Sequence, residues 1–110
     1  MPWFITSVCS DEALEELRHE NINPDYPRPQ RTFGFFDRYH EAFLSVKDNF
    51  GNIQECLYDY LVLEYIEPGI HPQVLAKEWY RWINAENRWG WVCVQHLPKE
   101  FQNVTNFALG

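Results

Sequence analysis

Four of the five tryptophans in this 110-residue chain lie between positions 79 and 91, with Arg81 and Arg88 among them. Trp79, Trp82, Trp89 and Trp91 offer flat π-faces and the arginines offer planar cations. Together they could stack a ring and hold an anionic group, the chemistry that a nucleotide needs. Arg31, placed between Arg28 and Arg38 and beside the run Thr32-Phe33-Gly34-Phe35-Phe36, is a third cation that could reach an anion at one end of a sheet. The competing reading of Arg31 is an ion pair with Asp37 or Glu64.

Those residues need a scaffold, and alternation within the stretch suggests a hairpin. Lys77 to Ile83 and Arg88 to Gln95 read as strands joined through Asn84-Ala85-Glu86-Asn87. Period-2 alternation puts Trp79, Arg81 and Ile83 on one face of the first strand and Glu78, Tyr80 and Trp82 on the other. On the second strand Gly90, Val92 and Val94 form the more obvious core-facing set. Trp89 and Trp91 are then expected to be exposed, opposite Tyr80 and Trp82 or opposite Trp79 and Arg81. The same residues also suit core packing with cation–π pairs, or an oligomer interface, where tryptophan, tyrosine and arginine are enriched.

The remaining elements follow from pattern. Trp3 to Val8 reads as a first strand. Ser10 or Asp11 can cap a short helix through His19, with Ala13, Leu14 and Leu17 as its apolar stripe. Residues 23 to 30 hold three prolines and read as an extended connector. Arg31 to Phe36 reads as a second strand in which Gly34 marks a bulge or a close approach. Asp37 can cap a helix to about Asn49, closed by Gly51, with Tyr39, Ala42, Phe43 and Val46 at helical spacing. Leu57 to Ile66 is apolar on both faces and reads as a central strand. Glu67 to Pro72 is a turn-rich excursion, and Phe101, Val104, Phe107 and Leu109 suggest a tail that packs back on the fold. The order predicts a single α+β domain over residues 1–110, an antiparallel sheet of about five strands with one or two helices packed on one face.

Composition limits the functions available. The 13.2 kDa chain is 45% hydrophobic and 17% aromatic, enough to bury a core without staples. Its formal net charge is −7, which argues against binding driven by nucleic-acid phosphates. Asp11, Glu12, Glu15, Glu16, Glu20 and Asp25 face only Arg18 within the first 27 residues, so an acidic end stands apart from a mildly basic one. Cys9, Cys56 and Cys93 show no paired spacing and read as reduced, mostly buried thiols. His19, His40, His71 and His96 are scattered, with no metal-ligand spacing; His71, in the Pro-Gly loop, is the best placed for a role of its own. No Ser-His-Asp order, catalytic carboxylate pair or phosphate loop is evident, so no catalytic residue, metal or cofactor is expected and activity as an enzyme is the lesser expectation. No signal peptide or membrane-spanning run is read, giving an expectation of a cytoplasmic protein with no membrane partner.

The block Arg31-Thr32-Phe33-Gly34-Phe35-Phe36, Glu41-Ala42, Asn49, Ile53, Glu55, Tyr58, Tyr60, Val62, Glu64, Gly69-Ile70-His71-Pro72 and Trp79-Tyr80-Arg81-Trp82 resembles a group of short proteins from Firmicutes genomes, their phages and mobile elements. That resemblance spans most of residues 3 to 92 and brings a genomic setting, the cytoplasm of a host bacterium, without an activity. It implies two roles. One is a phage counter-defence protein that sequesters a nucleotide-derived immune signal, with Arg31, Trp79, Arg81, Trp82, Arg88, Trp89 and Trp91 as ligand-binding residues. The other is an acidic protein–protein interaction module that inhibits a host defence effector by presenting carboxylates where a nucleic acid would present phosphates. A homo-oligomer joined through exposed aromatic residues is also expected.

Overall fold

The computed structural model describes residues 2–19, 30–49, 58–69, 73–85, 88–102, 104 and 106–108; within these, the side chains of residues 17–19, 84, 85, 88 and 89 lie outside the description. Five strands form one antiparallel sheet, β1 (Trp3–Val8), β2 (Gln30–Phe36), β3 (Tyr60–Ile66), β4 (Val74–Ala85) and β5 (Arg88–Val94), in the order β2-β1-β3-β4-β5. Three helices accompany them, α1 (Asp11–His19), α2 (Tyr39–Lys47) and the single turn α3 (Lys99–Gln102). This is the expected α+β class. The proline connector, Gly51, the turn at residues 86–87, Cys56 and His71 lie outside the described residues.

Strand β3 is central because neither of its faces needs water. Leu61 and Leu63 pack on one side with Ile5, Tyr80, Trp91, and Ala42 and Val46 of α2. Tyr60 and Val62 pack on the other with Val8, Trp79, Phe101 and Phe107. The first side is called the helix face below and the second the tail face. The expected return of the C-terminal segment is borne out at Phe101 and Phe107, whose rings close the tail face, but not at Val104, which is exposed; Leu109 lies outside the described residues.

Local chemistry sets the boundaries. Ser10 caps α1, its hydroxyl accepting the Ala13 N–H at 3.2 Å, while Asp59 receives the Ser10 N–H at 2.8 Å and so ties the helix start to β3. Asp37 does not cap α2: Arg38 occupies the cap position and makes no side-chain bond there. That helix is held by its apolar stripe, which buries Ala42 and Val46 against the sheet. Gly34 sits at a bulge, as its place in the strand pattern suggested. It opposes Ile5, and Thr32 opposes Thr6, leaving Phe33 as the extra residue.

Candidate functional site

The hairpin pairs as β4 and β5 in the register Trp79↔Val94, Tyr80↔Cys93, Arg81↔Val92 and Trp82↔Trp91. Trp91 therefore shares a face with Tyr80 and Trp82, one of the two arrangements anticipated, but that face carries α2. The expectation of an exposed Trp91 is overturned. It is 2% exposed, donates its indole N–H to Asn49 Oδ1 at 3.3 Å and meets Trp82 edge-on at 5.3 Å. Trp79 is 8% exposed on the tail face, stacked on Phe101 at 5.3 Å and edge-on to Phe107 at 5.2 Å. Alternation misled here because both faces of the sheet are covered, so a valine set on one side does not leave the other side wet.

Arg81 and Arg31 do not converge. Arg81 is exposed on the tail face, its guanidinium 5.6 Å from the centre of the Tyr60 ring. Arg31 is exposed on edge strand β2, on the helix face, 4.8 Å from the Phe33 ring centre. Three strand spacings separate β2 from β4, roughly 14 Å, and the two cations point to opposite sides of the sheet. Glu64 is not the partner of Arg31, because it lies on the tail face beside Lys77 at 3.6 Å. Arg88 and Trp89 belong to β5, with backbone positions opposite Ala85 and Asn84.

A different aromatic group comes together on the helix face. Trp3 stacks on Tyr65 with ring centres 4.9 Å apart and planes 13° from parallel, and Tyr39 leans on Trp3 at 5.0 Å. Phe36 opposes Trp3 across the β1–β2 pair, and Phe43 lies 5.9 Å from Tyr39. Trp3, Phe36, Phe43 and Tyr65 are half-buried, and Tyr39 is 37% exposed. These rings thus form a shelf that is part core and part surface. Antiparallel pairing of β1 with β3 places Trp3 opposite Tyr65. Within each strand alternation sets Trp3 with Ile5, and Tyr65 with Leu63; only the pairing joins the two sets.

Glu78 supplies the polar edge of this shelf. The Tyr39 hydroxyl donates to its two carboxylate oxygens at 2.7 and 2.9 Å, and the Tyr80 hydroxyl donates to the first of them as well. Burial first, then the bond to Glu78, pushes both phenols above their ordinary value of 10.0. Both remain donors at neutral pH, and Glu78 keeps lone pairs for further donors. Cys93, opposite Tyr80 on β5, is an exposed free thiol, which corrects the expectation for that cysteine; Cys9 is buried. Arg38 is exposed at the start of α2, next to Tyr39 in the chain. The arrangement can stack a flat ring and accept hydrogen bonds from its edge. Among the described residues no group of histidine, cysteine and carboxylate residues could hold a metal ion.

Removing the Tyr80 hydroxyl tests the cluster's contribution to stability. Tyr80→Phe is expected to cost about 1.5–3 kcal/mol at neutral pH, the range for a bond to a charged acceptor. The sign of the pH effect follows from the raised phenol. Its folded-state value exceeds the unfolded value of 10.0, so its share of stability is complete below 10.0 and declines as pH rises beyond it. Denaturant midpoints across alkaline pH should fall less steeply in Tyr80→Phe than in the wild type.

No family model matches the chain, and no solved structure matches it significantly. A partial similarity exists to the F-box/SPRY domain-containing protein 1 of Drosophila erecta and of Drosophila yakuba, each 39% identical over 51 residues, 44% of this chain. The match spans 19% of the length of those proteins. Among the described residues no helix is long and apolar enough to cross a membrane.

Proposed function

We propose that this chain is a small phage-type counter-defence protein that sequesters a nucleotide-derived immune signal in the host cytoplasm, without catalysis. The half-exposed shelf of Trp3, Tyr39 and Tyr65 beside Glu78 carries this reading. A base stacked on those rings would present its amino or imino edge to Glu78, with Arg38 near its phosphate. This relocates the ligand from the tryptophan hairpin, two of whose rings are core, to a surface that joins β1, β3 and α2. Stacking is sequence-tolerant and contributes about 1–3 kcal/mol per base.

Thermal unfolding against linear and cyclic nucleotides and ADP-ribose derivatives, with the recovered ligand checked for intact mass, tests the reading. A raised melting temperature with unchanged ligand is expected, and Trp3→Ala should weaken binding by about 10- to 100-fold. No shift anywhere in the panel would sink sequestration, and an altered ligand mass would make the protein an enzyme.

A second reading is favoured by one observation. Asp11, Glu12, Glu15 and Glu16 all stand exposed on α1, a carboxylate row suited to the basic surface of a host defence effector. Such binding would weaken steeply with salt and would be indifferent to nucleotides. Self-association belongs to the proposal too. Phe35 is 60% exposed on β2, the outermost strand among the described residues, an edge that a second copy could pair with. A monomer at high concentration in sedimentation would remove that part.

A further inference from the structure

Ring stacking on the helix face runs in a row across the strands and then stops. Antiparallel pairing sets Trp3 of β1 opposite Tyr65 of β3, and Tyr65 opposite Ala76 of β4, so the three residues stand on successive strands of one face. The first two rings have centres 4.9 Å apart and planes 13° from parallel. That spacing matches the separation of neighbouring strands, about 4.7–4.9 Å, so each ring rises over its own strand. Continued by one strand, the row reaches Ala76, where a methyl group stands in place of a ring. Ala76 is exposed and Tyr65 is half-buried. The side of Tyr65 turned away from Trp3 therefore looks over an exposed alanine, a slot one strand spacing wide.

Glu78 lies two residues along β4 on the same face, roughly 7 Å from Ala76 along the strand. Its carboxylate is held by two phenols. Oε1 accepts from both Tyr39, at 2.7 Å, and Tyr80, while Oε2 shares the Tyr39 proton at 2.9 Å. A carboxylate oxygen accepts about two bonds, so Oε2 has capacity for one more donor. We propose that the slot over Ala76 takes an amino-bearing heteroaromatic base, its ring stacked on Tyr65 as the third member of the row and its amino group donating to Glu78 Oε2. The proposal rests on the sequestration reading for its ligand class, and adds where the base lies and which bases fit. Adenine, guanine and cytosine carry the required amino group. Uracil does not, and its ring N–H is flanked by carbonyl oxygens that a carboxylate repels. Ala76 sets the size of the slot, since a ring at this position would fill it.

Two-dimensional NMR of the full chain, titrated with adenine and with adenosine monophosphate, tests the slot. Both probes are expected to shift the Ala76 methyl and Tyr65 ring signals. Ala76→Phe should bind the monophosphate at least about 10-fold more weakly. Its melting temperature should be unchanged or raised, because the position is exposed and a cross-strand aromatic pair with Tyr65 is favourable. Purine riboside monophosphate, which lacks the amino group, should bind the wild type about 10-fold more weakly than adenosine monophosphate. Undiminished binding by Ala76→Phe, or equal affinity for the two monophosphates, would overturn the slot and leave sequestration standing at another surface. Adenine bound at Ala76 without either monophosphate would keep the slot and count against sequestration. Binding of neither probe would overturn the slot outright.

Discussion

Replacing Trp91 by alanine is expected to remove about 3–5 kcal/mol of stability, the range for deleting a large aromatic side chain from a core. A domain of this size is stable by about 5–15 kcal/mol, so the variant should lose a large fraction of its stability and unfold at a much lower urea concentration. The cause is specific to where the ring sits. Trp91 is enclosed by α2 and the helix face, its indole N–H is bonded to Asn49, and its own carbonyl accepts from Lys47 at 3.3 Å. Collapse around the vacancy would require α2 to move, and α2 is held by Ala42 and Val46 in the same cluster. Arg81→Ala provides the contrast, since an exposed cation over Tyr60 should cost well under about 1 kcal/mol. Urea unfolding followed by circular dichroism compares the two. A Trp91→Ala protein of near wild-type stability would return the hairpin to consideration as a binding surface.

The second large effect belongs to Glu64. Glu64→Ala leaves the Phe107 and Ala108 amides and the Lys77 ammonium without their buried acceptor, and a loss of about 3 kcal/mol is expected. Glu64→Gln keeps an acceptor for the amides and should cost roughly 1 kcal/mol. The pH dependence has a definite sign. Burial pushes the Glu64 carboxyl above its ordinary value of 4.5, the amide bonds and Lys77 opposing it only in part. The folded state therefore binds that proton more tightly than the unfolded chain. Its favourable share is complete below 4.5 and declines as pH rises through the raised value. Glu64→Gln has no such proton, so its stability relative to wild type should improve with rising pH over that range. Denaturant titrations of both proteins from acid to neutral pH measure this, and parallel curves would contradict it.

How much of this was legible from residues alone differs between elements. Strand β1 ends where its β-branched and aromatic run ends, and α1 ends at His19 as its capping serine and apolar stripe suggested. Strand β3 declared itself central by being apolar on both faces. The longer β4 was only partly visible, since Val74, Leu75 and Ala76 precede the alternating stretch without an evident signal of their own. The short α3 was not visible, because one turn has no periodicity to read. Its four residues form against the tail face, where Phe101 is buried.

The candidate site was less legible than the fold. Clustered tryptophans drew attention to residues 79 to 91, yet local density says nothing of which side of a sheet is covered. Trp3, Phe36, Tyr39, Tyr65 and Glu78 are scattered over 76 positions of sequence, and no spacing rule joins them. Glu64 showed the same limit: its only sequence signal was a charge in an apolar strand, and the two amides that it accepts arrive from more than forty residues downstream.

The sequence by itself determined the class, an antiparallel α+β domain, because strand and helix periodicities, caps and turn residues act within a few residues and can be read there. Only the tertiary structure decided which aromatic rings are core and which carboxylate is buried. Those outcomes depend on pairing register and on what covers each face, and both are set by contacts between residues far apart in the chain.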